Sequence, residues 1–372
     1  MPGVMNRFRI LTILLVFVVV ATGAAGVAML FKDKLPLLKG LTPRTSRQSE
    51  LYKDLQPGTA TPKGLYYKNK VIVLMYHDVR PDPNDSKSLA LNNLDRQLSL
   101  LKANNFKIID MDRYKQFIRG KASVPDNAVL LTFDDGYESF YQYAYPMLRK
   151  HELTATNFII AGSIGNRKHA GVSKLTWVQI QQMKQDGIDF YSHSFNSHSY
   201  SHAEGPKSNL SAMLAGRIYL PELGRRERET EYERRIRSDL RQANDVLLEQ
   251  LGVRNDVMAF PYGAFSRPLL QACKQEGIDV TLTVKAGLNG PGQFNGFRLN
   301  AGGMDNNPDL QIALMKQAVQ KLGKAHYERP SLKYELLLLP ILGLLIGALW
   351  LRSAWELARS QRLRKTLISE TT

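Results

Sequence analysis

Leu131-Thr132-Phe133-Asp134-Asp135-Gly136-Tyr137 is the stretch on which the reading of this chain turns. It closes an apolar run that begins at Ala128, and a short run of that kind reads as a buried strand. The run stops at two adjacent carboxylates and a glycine. Successive strand residues point to opposite faces, but where the backbone turns at a strand's end both acids can converge on one site. Gly136 permits that turn. Two acids at the end of a buried strand cost folding free energy unless their charge is used. A divalent ion together with a proton-transfer step is the natural use.

Outward from this point, strands and helices alternate. Lys70 to Tyr76 reads as a strand. Leu91 to Asn104 has helical periodicity, with Leu94, Leu98 and Leu101 on one face. Phe106 to Ile109 is a short strand and Asp112 to Arg119 a helix. The strand ending in the acids precedes a helix over 137–151 and a strand over 154–161. Thr176 N-caps a helix that ends at Gly187. A strand over 188–192, a polar loop or insertion over 203–226 and a helix from Glu229 to Leu251 follow. Strands at 257–260, 280–284 and 297–299 close the series. Such alternation over about 250 residues signals a parallel α/β fold, barrel or doubly wound. Either form gathers its chemistry at the carboxyl ends of the strands.

The chemistry-bearing residues obey that rule. Asp134 and Asp135 follow one strand. His193 and His198 follow another, and with one carboxylate they complete a three-ligand set that leaves a position open, as a catalytic metal needs. His202 is an alternative ligand. His77 follows the first strand and is a candidate proton donor. Phe260-Pro261-Tyr262-Gly263 follows a later strand, and its tight turn can aim a backbone N–H at a developing oxyanion.

The ends of the chain have their own character. Residues 10–31 carry no charge over 22 positions and follow Arg7 and Arg9, as in a cleaved signal or a retained anchor. Residues 336–351 are apolar and lead into a basic tail, as the positive-inside rule expects at a cytoplasmic end. The expected layout is a cytoplasmic start at 1–9, an anchor at 10–31, a linker at 32–69, a globular domain at 70–325, a transmembrane helix at 334–351 and a basic cytoplasmic tail at 352–372. The globular domain then lies outside the cell. The net charge of +16 is shared with the membrane flanks and with the mixed-sign run 225–235. No nucleic-acid module accompanies it, so nucleic acid is excluded as a partner. The single cysteine, Cys273, rules out an intramolecular disulfide and reads as buried filler.

Thr132 to Gly136 resembles the first motif of the polysaccharide deacetylases, the NodB-homology enzymes of carbohydrate esterase family 4. His193 to His198 resembles their second motif, with the histidines five apart where four is usual. That spacing, and Tyr76-His77 ahead of the first motif, is similar to the branch that deacetylates poly-β-1,6-N-acetylglucosamine. Phe260 to Gly263 resembles the third motif; no Asp-x-x-x-Trp fourth motif stands in the chain. The resemblance covers about residues 70–320. It implies a distorted (β/α) barrel of seven to eight parallel strands, flanked here by the two terminal transmembrane helices. It implies amide hydrolysis with a divalent ion, zinc first and nickel or cobalt next, on Asp135, His193 and His198. Asp134 is then the general base, His77 the acid, and Tyr262 the backbone donor to the oxyanion. Tyr137, Pro261, Trp177 and Arg298 are the candidate substrate-binding residues, Arg298 also being a candidate to orient His77 or tune Asp134. The implied partners are an extracellular N-acetylglucosamine polymer, the membrane, and a polysaccharide synthase or export machinery. The alternatives are peptidoglycan or chitin-type substrates, and a non-catalytic polysaccharide-binding relative.

Overall fold

The apolar run of the opening motif forms a strand in which every residue is buried. The computed structural model describes residues 6, 8–18, 20, 50–165, 172–303, 305–327 and 334–369. The chain divides into two units, Gln48–His326 and the terminal segments 1–47 with 327–372.

In the larger unit the strands are β1 (Val71–Tyr76), β2 (Lys107–Ile108), β3 (Ala128–Asp134), β4 (Thr156–Ile159), β5 (Asp189–Ser192), β6 (Val257–Ala259), β7 (Val280–Leu282), β8 (Asn295–Gly296) and β9 (Leu299–Asn300). All pair in parallel, in the order β8-β7-β6-β5-β4-β3-β1-β9, with β2 beside the start of β3. The sheet's two edges meet through one run of chain. Asn295 and Gly296 pair with β7, and three residues later Leu299 and Asn300 pair with β1. The parallel α/β fold expected from the alternation is found as a half-barrel, whose edge strands β8 and β9 do not pair with each other.

The period of two along the strands sorts side chains into two layers. Val71, Val73, Ala128, Leu130, Phe158, Val257 and Leu282 fill one cluster. Ile72, Leu74, Val129, Leu131, Phe133 and Ile159 belong to another, shared with the helices. The helices are α1 (Leu91–Ala103), α2 (Met111–Ile118), α3 (Tyr145–Lys150), α4 (Trp177–Gln185), α5 (Glu229–Leu251), α6 (Arg267–Gln275), α7 (Pro308–Lys316) and α8 (Ala318–Leu322). Leu94, Leu98 and Leu101 are buried as their spacing requires. Thr176 caps α4 in a reciprocal capping box with Gln179. Cys273 is buried and free.

Four expectations are corrected. The helix over 137–151 opens with a π-helical turn, Phe140–Ala144, before α3; Pro146, which has no N–H to give, sits at its junction. Residues 50–68 are no free linker: Leu55 and Tyr67 are buried, and the Asn127 side chain accepts from the Tyr66 amide at 2.8 Å. The segment 203–226 is no plain loop; it builds two antiparallel strand pairs, Tyr200–His202 with Leu210–Ala212 and Tyr219–Leu220 with Arg225–Arg226. The last expected strand starts at Leu299 and not at Phe297.

In the terminal unit, residues 8–18 are helical, and α9 spans Tyr334–Ser369. Trp350 stacks on Phe8 at 5.3 Å and donates Nε1–H to Thr12 Oγ1 at 2.8 Å. Among the described residues no helix is long and apolar enough to cross a membrane. Residues 19 and 21–31 of the expected 10–31 anchor lie outside the described residues, as do the side chains of 334–342 in the expected second span.

Candidate active site

Asp134 ends β3 and Asp135 is the first residue beyond it. Asp135 turns with φ 75° and Gly136 with φ 65°. A side chain at 136 would press on Ile159 Cγ2 at 3.1 Å, so this double left-handed turn needs its glycine. Lys174, almost fully buried, donates Nζ–H to the Asp135 carbonyl at 2.9 Å and lies 4.0 Å over the Tyr137 ring.

His193 follows β5. Its Nδ1 lies 2.8 Å from the Ala259 carbonyl. A carbonyl only accepts, so Nδ1 carries the proton and Nε2 offers its lone pair. Nε2 lies 3.5 Å from Asp135 Oδ1, and His198 Nε2 lies 3.2 Å from the same oxygen. The three donor atoms fall within 4.8 Å of one another. Asp135 Oδ1 is buried with no hydrogen-bond partner. An orphaned carboxylate oxygen facing two histidine nitrogens is the donor set a divalent ion of the zinc type takes. Burial holds the His193 imidazole down to about 4 against the pull of both acids, which keeps it in the neutral, ligating form.

The histidines are spaced by a loop that α5 holds. Asp239 accepts from the amides of Phe195 and Asn196, each at 3.0 Å, and from Ser197 Oγ at 2.6 Å. Within this loop Ser194 has φ 97°. Asp239 escaped the sequence reading, although its spacing from the buried Tyr232, Ile236, Leu240 and Ala243 on α5 marks an acid on a buried helix face.

Asp134 has a different environment. Arg298, fully buried in the run that joins β8 to β9, brings Nη1 and Nη2 to 2.7 and 2.8 Å from the two Asp134 oxygens. Burial alone raises the carboxyl pKa; Arg298 and then His193 overcome it and hold Asp134 well below the usual carboxylate range. His77, just past β1, places Nε2 at 3.8 Å from Asp134 Oδ2. Tyr262, at φ 58° in the turn after β6, sets its ring 4.6 Å from His198.

The structure thus gathers Asp134, Asp135, His193, His198, His77 and Tyr262 at one end of the barrel. Arg298 arrives there too, but not as a residue lining substrate: it has no exposed surface, and both terminal nitrogens serve Asp134. Trp177 packs against the core cluster at the start of α4, and Pro261 is buried. His202 stays out of the ligand set and turns Nδ1 to Ser208 O at 2.9 Å.

Two acids and three histidines thus meet at the carboxyl ends of a parallel sheet, and three of these residues form a cluster that could hold a metal ion. Residues 121–281 match the polysaccharide deacetylase family. It is 25% identical over 256 residues to the poly-β-1,6-N-acetyl-D-glucosamine N-deacetylase of Escherichia coli K12, covering 65% of this chain and 38% of that one. It is likewise 25% identical to the Staphylococcus aureus MSSA476 protein of the same name, over 59% of this chain and 73% of that one. The match thus spans well under half of the Escherichia coli relative. Among solved structures, a de-N-acetylase from Aggregatibacter actinomycetemcomitans superposes with a TM-score of 0.57 at 25% identity, covering 62% of this chain and 94% of that one. IcaB from Ammonifex degensii gives 0.55 at 26%, covering 69% of this chain and all of the other.

Proposed function

We propose that this protein is a metal-dependent N-deacetylase that releases acetate from N-acetylglucosamine units of an extracellular polymer, poly-β-1,6-N-acetylglucosamine. The observation that carries the reading is the orphaned Asp135 oxygen between two histidine nitrogens, beside an acid that Arg298 keeps ionised. The names of the relatives supply the substrate. Asp135, His193 and His198 hold the ion, zinc before nickel or cobalt. When bound, it polarises the acetamide carbonyl and acidifies water. Asp134 takes the proton of the attacking water, the role an ionised acid 3.8 Å from His77 fits. The Tyr262 backbone N–H donates to the oxyanion. His77, protonated, gives its proton to the departing amine. The carbon–nitrogen bond breaks, acetate leaves, and a glucosamine unit that can take up a proton remains. Tyr137 and Pro261 border the reacting unit.

We further infer that the chain's apolar ends hold the domain at the outer face of the cell membrane, close to the machinery that makes or exports the polymer. The uncharged run 10–31 after Arg7 and Arg9, and the basic tail after 351, support this. Protease added to intact cells is expected to remove the domain and spare the tail.

The test of the reaction is acetate release by the metal-loaded protein from acetylated β-1,6 and β-1,4 glucosamine oligomers. Release from the β-1,6 series is expected, with Asp134→Asn retaining metal and losing nearly all turnover. Full activity in that variant would sink the base assignment, and release from the β-1,4 series alone would change the substrate.

A further inference from the structure

The segment between His198 and α5 is anchored to α5 by hydrogen bonds and packing. Arg235 of α5 donates to the carbonyls of Met213 and Gly216, each at 3.0 Å, and to the Glu227 carboxylate at 2.7 and 2.9 Å. Glu227 in turn accepts from the Ile218 amide at 3.0 Å. Leu214 is buried against Tyr232 and Ile236, and the Tyr232 hydroxyl donates to its carbonyl at 2.8 Å. A segment with so many anchors can present a side chain in a fixed place.

The side chain it presents is Tyr200, on the strand that pairs with Leu210–Ala212. Its ring lies 4.0 Å from that of Tyr262 and 27° from parallel with it. Tyr262 lies in turn 4.6 Å from the ring of His198. The three rings form a row that leads outward from the ligand cluster. Its outer members stay in water, Tyr200 being 51% exposed and Tyr262 37%. Aromatic rings of this size are normally buried for their apolar area. A stacked pair left exposed on a rigid framework at the mouth of a site is a surface shaped for a ligand. A pyranose ring offers such a surface its flat, C–H-lined face, while its hydroxyls keep to water.

We propose that Tyr200, stacked on Tyr262, is the platform for the sugar unit adjoining the one that loses its acetyl group, so that the protein selects oligomers over single units. This rests on the deacetylase reading. Tyr200 stacks on Tyr262 and is none of the proton-transfer groups, so it acts on binding of the chain rather than on bond breaking.

The experiment compares the metal-loaded wild type with Tyr200→Ala and Tyr200→Phe on a β-1,6-linked N-acetylglucosamine pentamer and on the monomer. Loss of one ring contact corresponds to roughly a fivefold to tenfold rise in KM for the pentamer, with kcat within about twofold and monomer turnover unchanged; Tyr200→Phe keeps the wild-type KM. Calorimetric titration of the pentamer into metal-free protein gives a second readout, expected to weaken by the same factor in Tyr200→Ala. Equal KM and equal pentamer affinity in Tyr200→Ala overturn the platform. A rise in kcat overturns it as well, since Tyr200 would then be a cover over His198. If the wild type releases no acetate from any oligomer, the deacetylase reading fails; calorimetry then decides alone, with lost pentamer affinity in Tyr200→Ala upholding the platform and unchanged affinity refuting it.

Discussion

Replacing Arg298 by methionine tests how the site keeps a buried acid charged. Arg298 has no exposed surface, gives its terminal nitrogens to both oxygens of Asp134 at 2.7 and 2.8 Å, and gives Nε–H to the Thr283 carbonyl at 2.8 Å. Methionine keeps much of the volume, so the loss is mostly electrostatic. An acid left buried and unpaired costs about 3–5 kcal/mol, and the cost depends on pH. In the wild type Asp134 has its folded pKa depressed, so its contribution is present above the unfolded value, about 3.9, and fades as the pH falls through the folded value. In Arg298→Met burial is the largest influence left on Asp134, and the folded pKa moves above the unfolded one. The variant then loses stability as the pH rises above about 4, opposite in sign to the wild type. Urea unfolding at pH 5 and pH 8, in chelator so that metal binding does not enter, measures both. The loss is expected to be about 3 kcal/mol or more at pH 8 and smaller at pH 5, and Asp134→Asn in the same chain should restore over half of it. A loss under about 1 kcal/mol at pH 8, or no restoration by the second substitution, would refute this account of Arg298.

Two further outcomes follow from groups away from the reacting atoms. Asp239→Ala removes the acceptor for two amides and a hydroxyl of the loop between the histidines; metal affinity, read by competition with a chromogenic chelator, should fall about 10–100-fold, and undiminished affinity would show that the loop holds its shape without α5. Burial pushes Asp189 up to about 6, a folded pKa above the unfolded value, so the acid costs stability once the pH rises through that range; Asp189→Asn should gain about 1–2 kcal/mol at pH 8, the full shift being discounted for partial exposure, and nothing at pH 4, and an equal gain at both would remove titration as its cause.

Much of the barrel was legible because its signals are local. The apolar runs at 71–76 and 128–134 need only period and length, and α5 begins at Glu229 and ends at Leu251 with Gly252 in the left-handed conformation, where its sequence shows a stop. The acids and histidines were legible because each follows a strand, which fixes the face without fixing the distance. What escaped depends on partners far away in the chain. Arg298 reaches Asp134 across 164 positions and Asp239 reaches Phe195 across 44, and no window of sequence contains either pair. Residues 50–68 read as a polar linker because the asparagines that dock them, Asn104, Asn105 and Asn127, belong to other elements. The strand pairs at 200–226 are too short to show a period.

The two ends of the barrel handle charge in opposite ways, and the contrast argues for where function lies. At the amino ends of the strands, Asp256 precedes β6 and Asp279 precedes β7. Arg119 joins both at 2.8 and 2.7 Å, and Lys115 reaches Asp256 at 3.2 Å. There each of these acids has a cation. At the carboxyl ends three residues take positive φ outside glycine, Asp135 at 75°, Ser194 at 97° and Tyr262 at 58°, each directly or shortly after a strand. Asparagine and aspartate tolerate that region, whereas serine and tyrosine enter it at a cost of order 1–3 kcal/mol each. The same end holds the orphaned oxygen of Asp135 and the unpartnered buried hydroxyl of Ser194. A chain selected for stability alone would relieve such strain with glycine and pair such atoms. Ser194, Tyr262 and the Asp135 oxygen stand where the histidines and acids converge, while Arg119 pairs with Asp256 and Asp279 at the opposite end. That is the division expected when one end of a parallel barrel is given to stability and the other to chemistry.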